Sequence, residues 1–81
     1  MKFTWDESKR QANIAKHGLD FADAEKVFAG PMVLFEYVRP DYGEQRMIGV
    51  GLLDYLVVLI VHVENDATIR QLLSERRPMV A

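Results

Sequence analysis

Three short stretches of this sequence carry side chains able to bind or cleave a phosphodiester. The first, "WDESKRQANIAKHG" (5–18), holds Lys9, Asn13, Lys16 and His17. On a helix, spacings of four, three and one set these along one side. Two ammonium groups, an imidazole and an amide there could grip a phosphate backbone, the amide as both donor and acceptor. The same spacing also suits an ordinary solvated helix face. The second stretch, "DYGEQR" (41–46), sets Glu44 and Arg46 on one face at the start of a strand. An acid beside a guanidinium can serve as general base and transition-state clamp, or form an exposed ion pair of small energetic value. The third, "TIRQLLSERR" (68–77), has Arg70, Ser74 and Arg76 at even positions, hence on one strand face, with Arg77 turned the other way. Arginines so placed suit bidentate phosphate binding, or guard an edge strand by charge.

Other chemistries find little support. There is no cysteine, so neither a disulfide framework nor a thiolate site is available. Two histidines without acid or His partners at ligand spacing predict no metal, and no cofactor is expected. His62 stands in the most apolar strand, on the side of Leu56, Val58 and Ile60, the pattern of a core histidine with one hydrogen-bond partner. No Gly-rich phosphate loop occurs. "GVG" (49–51) falls within a strand, where it lets a neighbouring element come close.

The elements that must position these groups can be read from caps and periodicity. Lys2 to Trp5 forms a short strand with Phe3 and Trp5 on one side. Asp6 caps a helix over residues 7–17, and Gly18 takes the left-handed position that ends it. Trp5, Ser8, Ala12 and Ala15 give this helix a narrow stripe toward the core. Asp20 caps a second helix, whose Phe21, Ala24, Val27 and Phe28 make one apolar face, and Gly30-Pro31 stops it. Strands follow at 32–38, 45–53, 55–64 and 68–75, separated by "RPDYGE", "LD" and "NDA". The third of these is apolar on both faces and belongs in the middle of its sheet. The expected fold is α+β, with two N-terminal helices on one face of an antiparallel sheet in the order β-α-α-β-β-β-β.

With 81 residues the chain is expected to form a single domain, 1–81, with a core small enough for a partner surface to help. A hydrophobic content of 49% excludes a disordered chain. The net charge of −2 is unevenly spread: residues 1–17 carry four Lys/Arg against two acids, residues 18–68 three against nine, and residues 69–81 three against one. Where the ends meet, an acidic body bears one basic patch that attracts a polyanion. The N-terminus lacks the apolar run of a signal peptide, and Tyr55 to Val61 is too short to span a bilayer. A reducing cytoplasm fits.

Taken together, "WDESKRQANIAKHGLDFADAEKVFAGP", "DYGEQRMIGVGLLD" and "LLSERR" resemble the BrnT family, small ribonuclease toxins of type II toxin–antitoxin pairs with a RelE-like fold. The similarity covers nearly the whole chain. Its most specific part is W-D-x-x-K-x-x-x-N-x-x-K-H-G. The resemblance implies a metal-independent endoribonuclease that cleaves RNA, with mRNA as the expected target, and slows growth. It implies a ribbon-helix-helix antitoxin (BrnA-like) that neutralises the toxin and carries the DNA-binding role, in a homodimer or a toxin–antitoxin hetero-oligomer. By position, Lys16, His17, Glu44, Arg46 and Arg76 would be catalytic. Lys9, Asn13, Arg70, Ser74 and Arg77 would bind RNA. Arg46 and Arg76 would hold the phosphate, Lys16 or His17 would assist proton transfer, and Glu44 would orient an arginine or act as base. Relatives place an Arg three residues before the Ser of S-x-R, where this chain has Gln71 with Arg70 beside it. A one-residue slip turns a strand side chain to the opposite face unless a bulge resets it. Relatives also continue into a helix where this sequence runs "RPMVA". The alternative reading is a catalytically weakened relative acting as an antitoxin-binding or other protein-interaction module, docking through an apolar sheet face.

Overall fold

The structure is a computed structural model and describes residues 1–37 and 43–77, the side chain of Arg77 excepted. The "RPDYGE" turn therefore lies largely outside the described residues, as do the "PMVA" end and any contact made by Arg77. The elements are β1 (Lys2–Trp5), α1 (Glu7–His17), a 3-10 turn (Phe21–Asp23), α2 (Ala24–Phe28), β2 (Met32–Tyr37), β3 (Arg46–Leu53), β4 (Leu56–Asn65) and β5 (Thr68–Arg77). This is the α+β order expected from the sequence.

The caps act as read. Asp6 accepts hydrogen bonds from the backbone N–H groups of Ser8 and Lys9, and Gly18, at φ 71°, closes α1 by donating to the Ile14 carbonyl. The second helix differs from expectation. Asp20 caps a tight 3-10 turn, and only Ala24–Phe28 continues as α-helix. The Asp20 carboxylate accepts from the Ala22 N–H while gripped from the other side by Arg10, which holds the chain in the tighter turn.

Strands β2 to β5 form the expected antiparallel meander, and the sheet order is β1-β5-β4-β3-β2. β4 is the middle strand, consistent with its two apolar faces. β1 joins by parallel pairing with residues 68–71 of β5, so among the described residues the rest of β5 has no strand on that side. Between Gln71 and Leu73 the ladder shifts register: His62 pairs with Gln71 and Val61 with Leu73, leaving Leu72 as the extra residue of a bulge.

The core lies between the inner sheet face and the helices. Leu19, Phe21, Ala24 and Val27 pack over Val58, Ile60 and Ile69. "GVG" does admit a close approach. A Cβ on Gly51 would lie 2.7 Å from Val27 Cγ1, and one on Gly49 would lie 2.6 Å from Met32 Cε. His62 is wholly buried, with Ile60 O 3.2 Å from Nδ1, a Glu64 carboxylate oxygen 3.0 Å from Nε2, and Phe28 edge-on at 5.1 Å. It is a core residue, as its position suggested.

Candidate functional site

Helix α1 does not pack on the stripe that its small residues suggested. Ser8, Ala12 and Ala15 are exposed, whereas Asn13 is buried and Arg10, Ile14 and His17 are half-buried. The inward side is thus 10-13-14-17, mostly polar, and it works because its Arg10 and Asn13 find partners. Asn13 Nδ2 donates to Leu19 O and to Ser74 Oγ, each at 2.9 Å, and Asn13 Oδ1 accepts from the Ser74 N–H at 3.1 Å. Ser74 lies beyond the reach of β1, so the Asn13 amide supplies the acceptor that a neighbouring strand would otherwise give. Asn13 and Ser74, read as RNA-binding residues, are instead spent on each other and hold α1 against β5.

The bulge at Leu72 corrects a second expectation. Gln71 stands opposite the buried His62, and Ser74 opposite the buried Ile60, so both face the helices. Arg70 stands opposite Val63, on the outer face. Arg70 and Ser74 therefore do not share a face despite their even spacing, because the extra residue reverses the alternation between them. Gln71 donates to Phe21 O and is part of the core.

Arg46 begins β3 beside Met47, which stands opposite His62. The alternation therefore puts Arg46 on the outer face with Ile48, Val50 and Leu52. Arg76 stands opposite the buried Val58, on the inner face. Its guanidinium comes within 3.8 Å of the point where a Gly18 side chain would begin, at the negative end of the α1 dipole. The two arginines expected to hold one phosphate are thus on opposite faces of the sheet.

Other cations do converge. Because α1 runs beside the uncovered part of β5, Lys9 reaches past its edge. A groove of about 280 Å³ on the outer face is lined by Lys9, Tyr37, Arg46, Val61, Leu72 and Leu73. It continues into a second depression of about 220 Å³ lined by Lys9, Ala12, Asn13, Lys16, His17, Leu72 and Leu73. Lys9, Leu72 and Leu73 belong to both, so cations from α1 and from β3 border two adjoining hollows. Glu44 precedes β3 in a bend and forms an ion pair with Arg70. Glu44 and Arg46 thus approach the same outer region, with Glu44 directed to Arg70.

Sequence reasoning passed over Tyr37 and Arg10. Tyr37 ends β2 opposite Arg46, and no local pattern marks it as a groove residue. Arg10 binds Glu7 and clasps both oxygens of Asp20 at 2.8 and 2.9 Å, tying α1 to the 3-10 turn. The Arg10 guanidinium holds the Asp20 carboxyl below its ordinary value of 3.8, helped by the Ala22 N–H. Asp6 is lowered by the Ser8 hydroxyl and the backbone N–H groups of Lys9 and Ser8, and Glu7 by Gln11 and Arg10. Asp20, and after it Glu7, in turn raise Arg10. Among the described residues no cluster of His, Asp or Glu has the makings of a metal site, and no helix is long and apolar enough to cross a membrane.

Comparison with known proteins gives this geometry a context. Comparison with curated proteins gives no match. The crystal structure of the Brucella abortus ribonuclease toxin BrnT superposes with a TM-score of 0.78, at 29% identity, over 98% of this chain and 99% of that one. A family model described as the ribonuclease toxin BrnT of type II toxin–antitoxin systems matches residues 5–79. With that match over nearly its whole length, on the fold described above, the chain belongs to the BrnT family of ribonuclease toxins.

Proposed function

We propose that this chain is a metal-independent endoribonuclease that cuts RNA, mRNA included, and arrests growth until a ribbon-helix-helix antitoxin binds it. The observation that carries this reading is the shared groove of Lys9 and Arg46, extended by Lys16 and His17. A strand of RNA laid along it meets positive charge on both walls and apolar surface, Leu72 and Leu73, on its floor.

In the reaction, the ribose 2′-oxygen attacks the adjacent phosphorus and the bond to the 5′-oxygen of the next nucleotide breaks. The products are a 2′,3′-cyclic phosphate and a free 5′-hydroxyl. Arg46 and Lys9 stabilise the extra negative charge of the pentacoordinate phosphorus, a task that needs fixed cations and no metal. His17 or Lys16 moves the proton between the 2′-hydroxyl and the leaving oxygen. Glu44 orients Arg70 toward the outer face, where Arg70 adds a phosphate contact. Arg76, beside Gly18, holds the strand where it leaves the groove past His17. Asn13 and Ser74 act by fixing α1, not by touching RNA. The active chain works in the cytoplasm as one domain, and the antitoxin complex is a hetero-oligomer.

The test is cleavage of a defined RNA by the purified chain, freed of any antitoxin, in the presence of EDTA. Cutting with cyclic-phosphate ends is expected, and Arg46→Ala should lower the rate at least ~100-fold, the usual cost of one transition-state donor. Equal cutting by Arg46→Ala overturns the assignment.

A further inference from the structure

Strand β2, at the edge of the sheet, carries two aromatic rings on the same face as the groove. Tyr37 stands opposite Arg46 and Phe35 opposite Ile48, so both lie on the outer face, two residues apart. Tyr37 is half-buried and lines the groove with Lys9, Arg46, Val61, Leu72 and Leu73. Phe35 is 54% exposed. By contrast, Phe3 and Phe28 pack edge-on against each other, as do Trp5 and Phe21. A ribose-phosphate backbone needs donors and positive charge, which Lys9 and Arg46 supply, and gains little from a ring or from leucines. A flat base gains from both.

We propose that Tyr37 and Phe35 form a stacking ladder for two consecutive bases, the first being the base beside the scissile phosphate, and that the ladder biases where the strand is cut. This rests on the nuclease reading above and adds the residues that select the substrate. Directly opposed residues on one face of an antiparallel pair have Cβ atoms about 5 Å apart. A nucleotide whose phosphate meets Arg46 therefore brings its base within reach of Tyr37. Phe35 follows about 7 Å further along the strand, a step that unstacked bases of an extended single strand can span. The apolar row Phe35, Ile48, Val61 and Leu73 runs on from there across the sheet. The next row, Val33, Val50, Leu59 and Glu75, has no ring and ends in a carboxylate, so the ladder stops after two bases. Glu44 is paired with Arg70, and that pair adds little net charge; Lys9 and Arg46 hold the backbone. Purines, with the larger ring face, stack better than pyrimidines and are the favoured bases beside the cut.

The test is cleavage of short single-stranded RNAs by the purified full chain in EDTA. Tyr37→Leu keeps an apolar side chain and removes the ring. It should lower kcat/KM about 5- to 100-fold, the range for one lost stack, and act mainly through KM. Tyr37→Phe should stay within threefold of the parent. Phe35→Leu should lower kcat/KM at least 5-fold. Removing the second base by an abasic nucleotide should slow the parent but not slow Phe35→Leu further. The parent should prefer a purine beside the cut, and Tyr37→Leu should lessen that preference. Tyr55→Ala, at a 93% exposed site in the β3–β4 turn, should change nothing beyond twofold. On an uncleavable 2′-O-methyl RNA, 2-aminopurine at the first position should be quenched by saturating parent or Tyr37→Phe and not by Tyr37→Leu. If Tyr37→Phe loses as much as Tyr37→Leu, the phenol hydroxyl does the work and the ladder is overturned. Parental cutting by both leucine variants overturns it too and leaves the nuclease reading in place. So does unchanged cutting joined to lost self-association or lost protein binding, which marks the face as a protein contact. A parent that cuts no RNA ends the nuclease reading, and absence of quenching then ends the ladder as well.

Discussion

Asn13 and Ser74, 61 positions apart, hold each other twice, side chain to side chain and side chain to backbone, at the point where β5 runs beyond β1. Asn13 also takes the Leu19 carbonyl. Replacing Asn13 by Ala orphans a buried N–H and a carbonyl together. The expected cost is about 2–4 kcal/mol, a fall in melting temperature of roughly 10–20 °C for a domain of this size. Differential scanning calorimetry measures it. Loss of less than ~1 kcal/mol would mean that water replaces Asn13 freely.

The two arginines of the outer and inner faces should separate kinetically. Arg46→Ala lowers kcat for RNA cutting, because Arg46 borders the groove with Lys9. Arg76→Ala raises KM and leaves kcat within several-fold. Lys9→Ala weakens RNA binding and reduces the slope of log affinity against log salt by about 0.7–0.9, one phosphate contact. Single-turnover cleavage over a range of RNA and salt concentrations distinguishes the three.

Acid should loosen the junction of α1 with the 3-10 turn. Arg10 lowers the folded-state pKa of Asp20 below its ordinary value of 3.8. The group therefore stabilises the fold above its unfolded pKa, and that contribution is lost as pH falls through the folded value. Asp20→Asn removes this dependence, so urea-denaturation stability should decline less between pH 5 and pH 2 than in the parent. Equal declines would place the acid sensitivity elsewhere, in Asp6 and Glu7, which are also lowered.

Gly51 is fixed by contact, not by backbone angle. An added methyl would meet Val27 Cγ1 at 2.7 Å and Met32 Cγ at 3.1 Å. Gly51→Ala should destabilise by about 1–3 kcal/mol. Adding Val27→Ala to it should recover part of the loss, which a thermal melt of the pair would register.

What the sequence disclosed was local, and what it hid was distant. Asp6, Gly18, the "LD" and "NDA" turns and the doubly apolar fourth strand each carry their signal within a few residues, and each landed where expected. Asp54 and Asp66, at φ 55° and 50°, are turn residues of the expected kind. The bulge at Leu72 has no local signature, and one unpaired residue was enough to put Arg70 on the wrong face. The burial of Asn13 was equally invisible, because a polar helix side can pack inward only when a partner far along the chain satisfies it. Tyr37 enters the groove through cross-strand register, which no spacing within β2 encodes.

Among the described strands, β5 is the last in sequence and also an interior strand, the neighbour of β1 and the support of α1. Until it emerges from the ribosome, the opening strand has nothing to pair with and Asn13 has no Ser74. The channel between Lys9 and Arg46 has no floor before then, because Leu72 and Leu73 supply it. Such end-to-end closure is slow relative to local folding. A chain without β5 consequently lacks the floor of the channel and the partner of Asn13 at once.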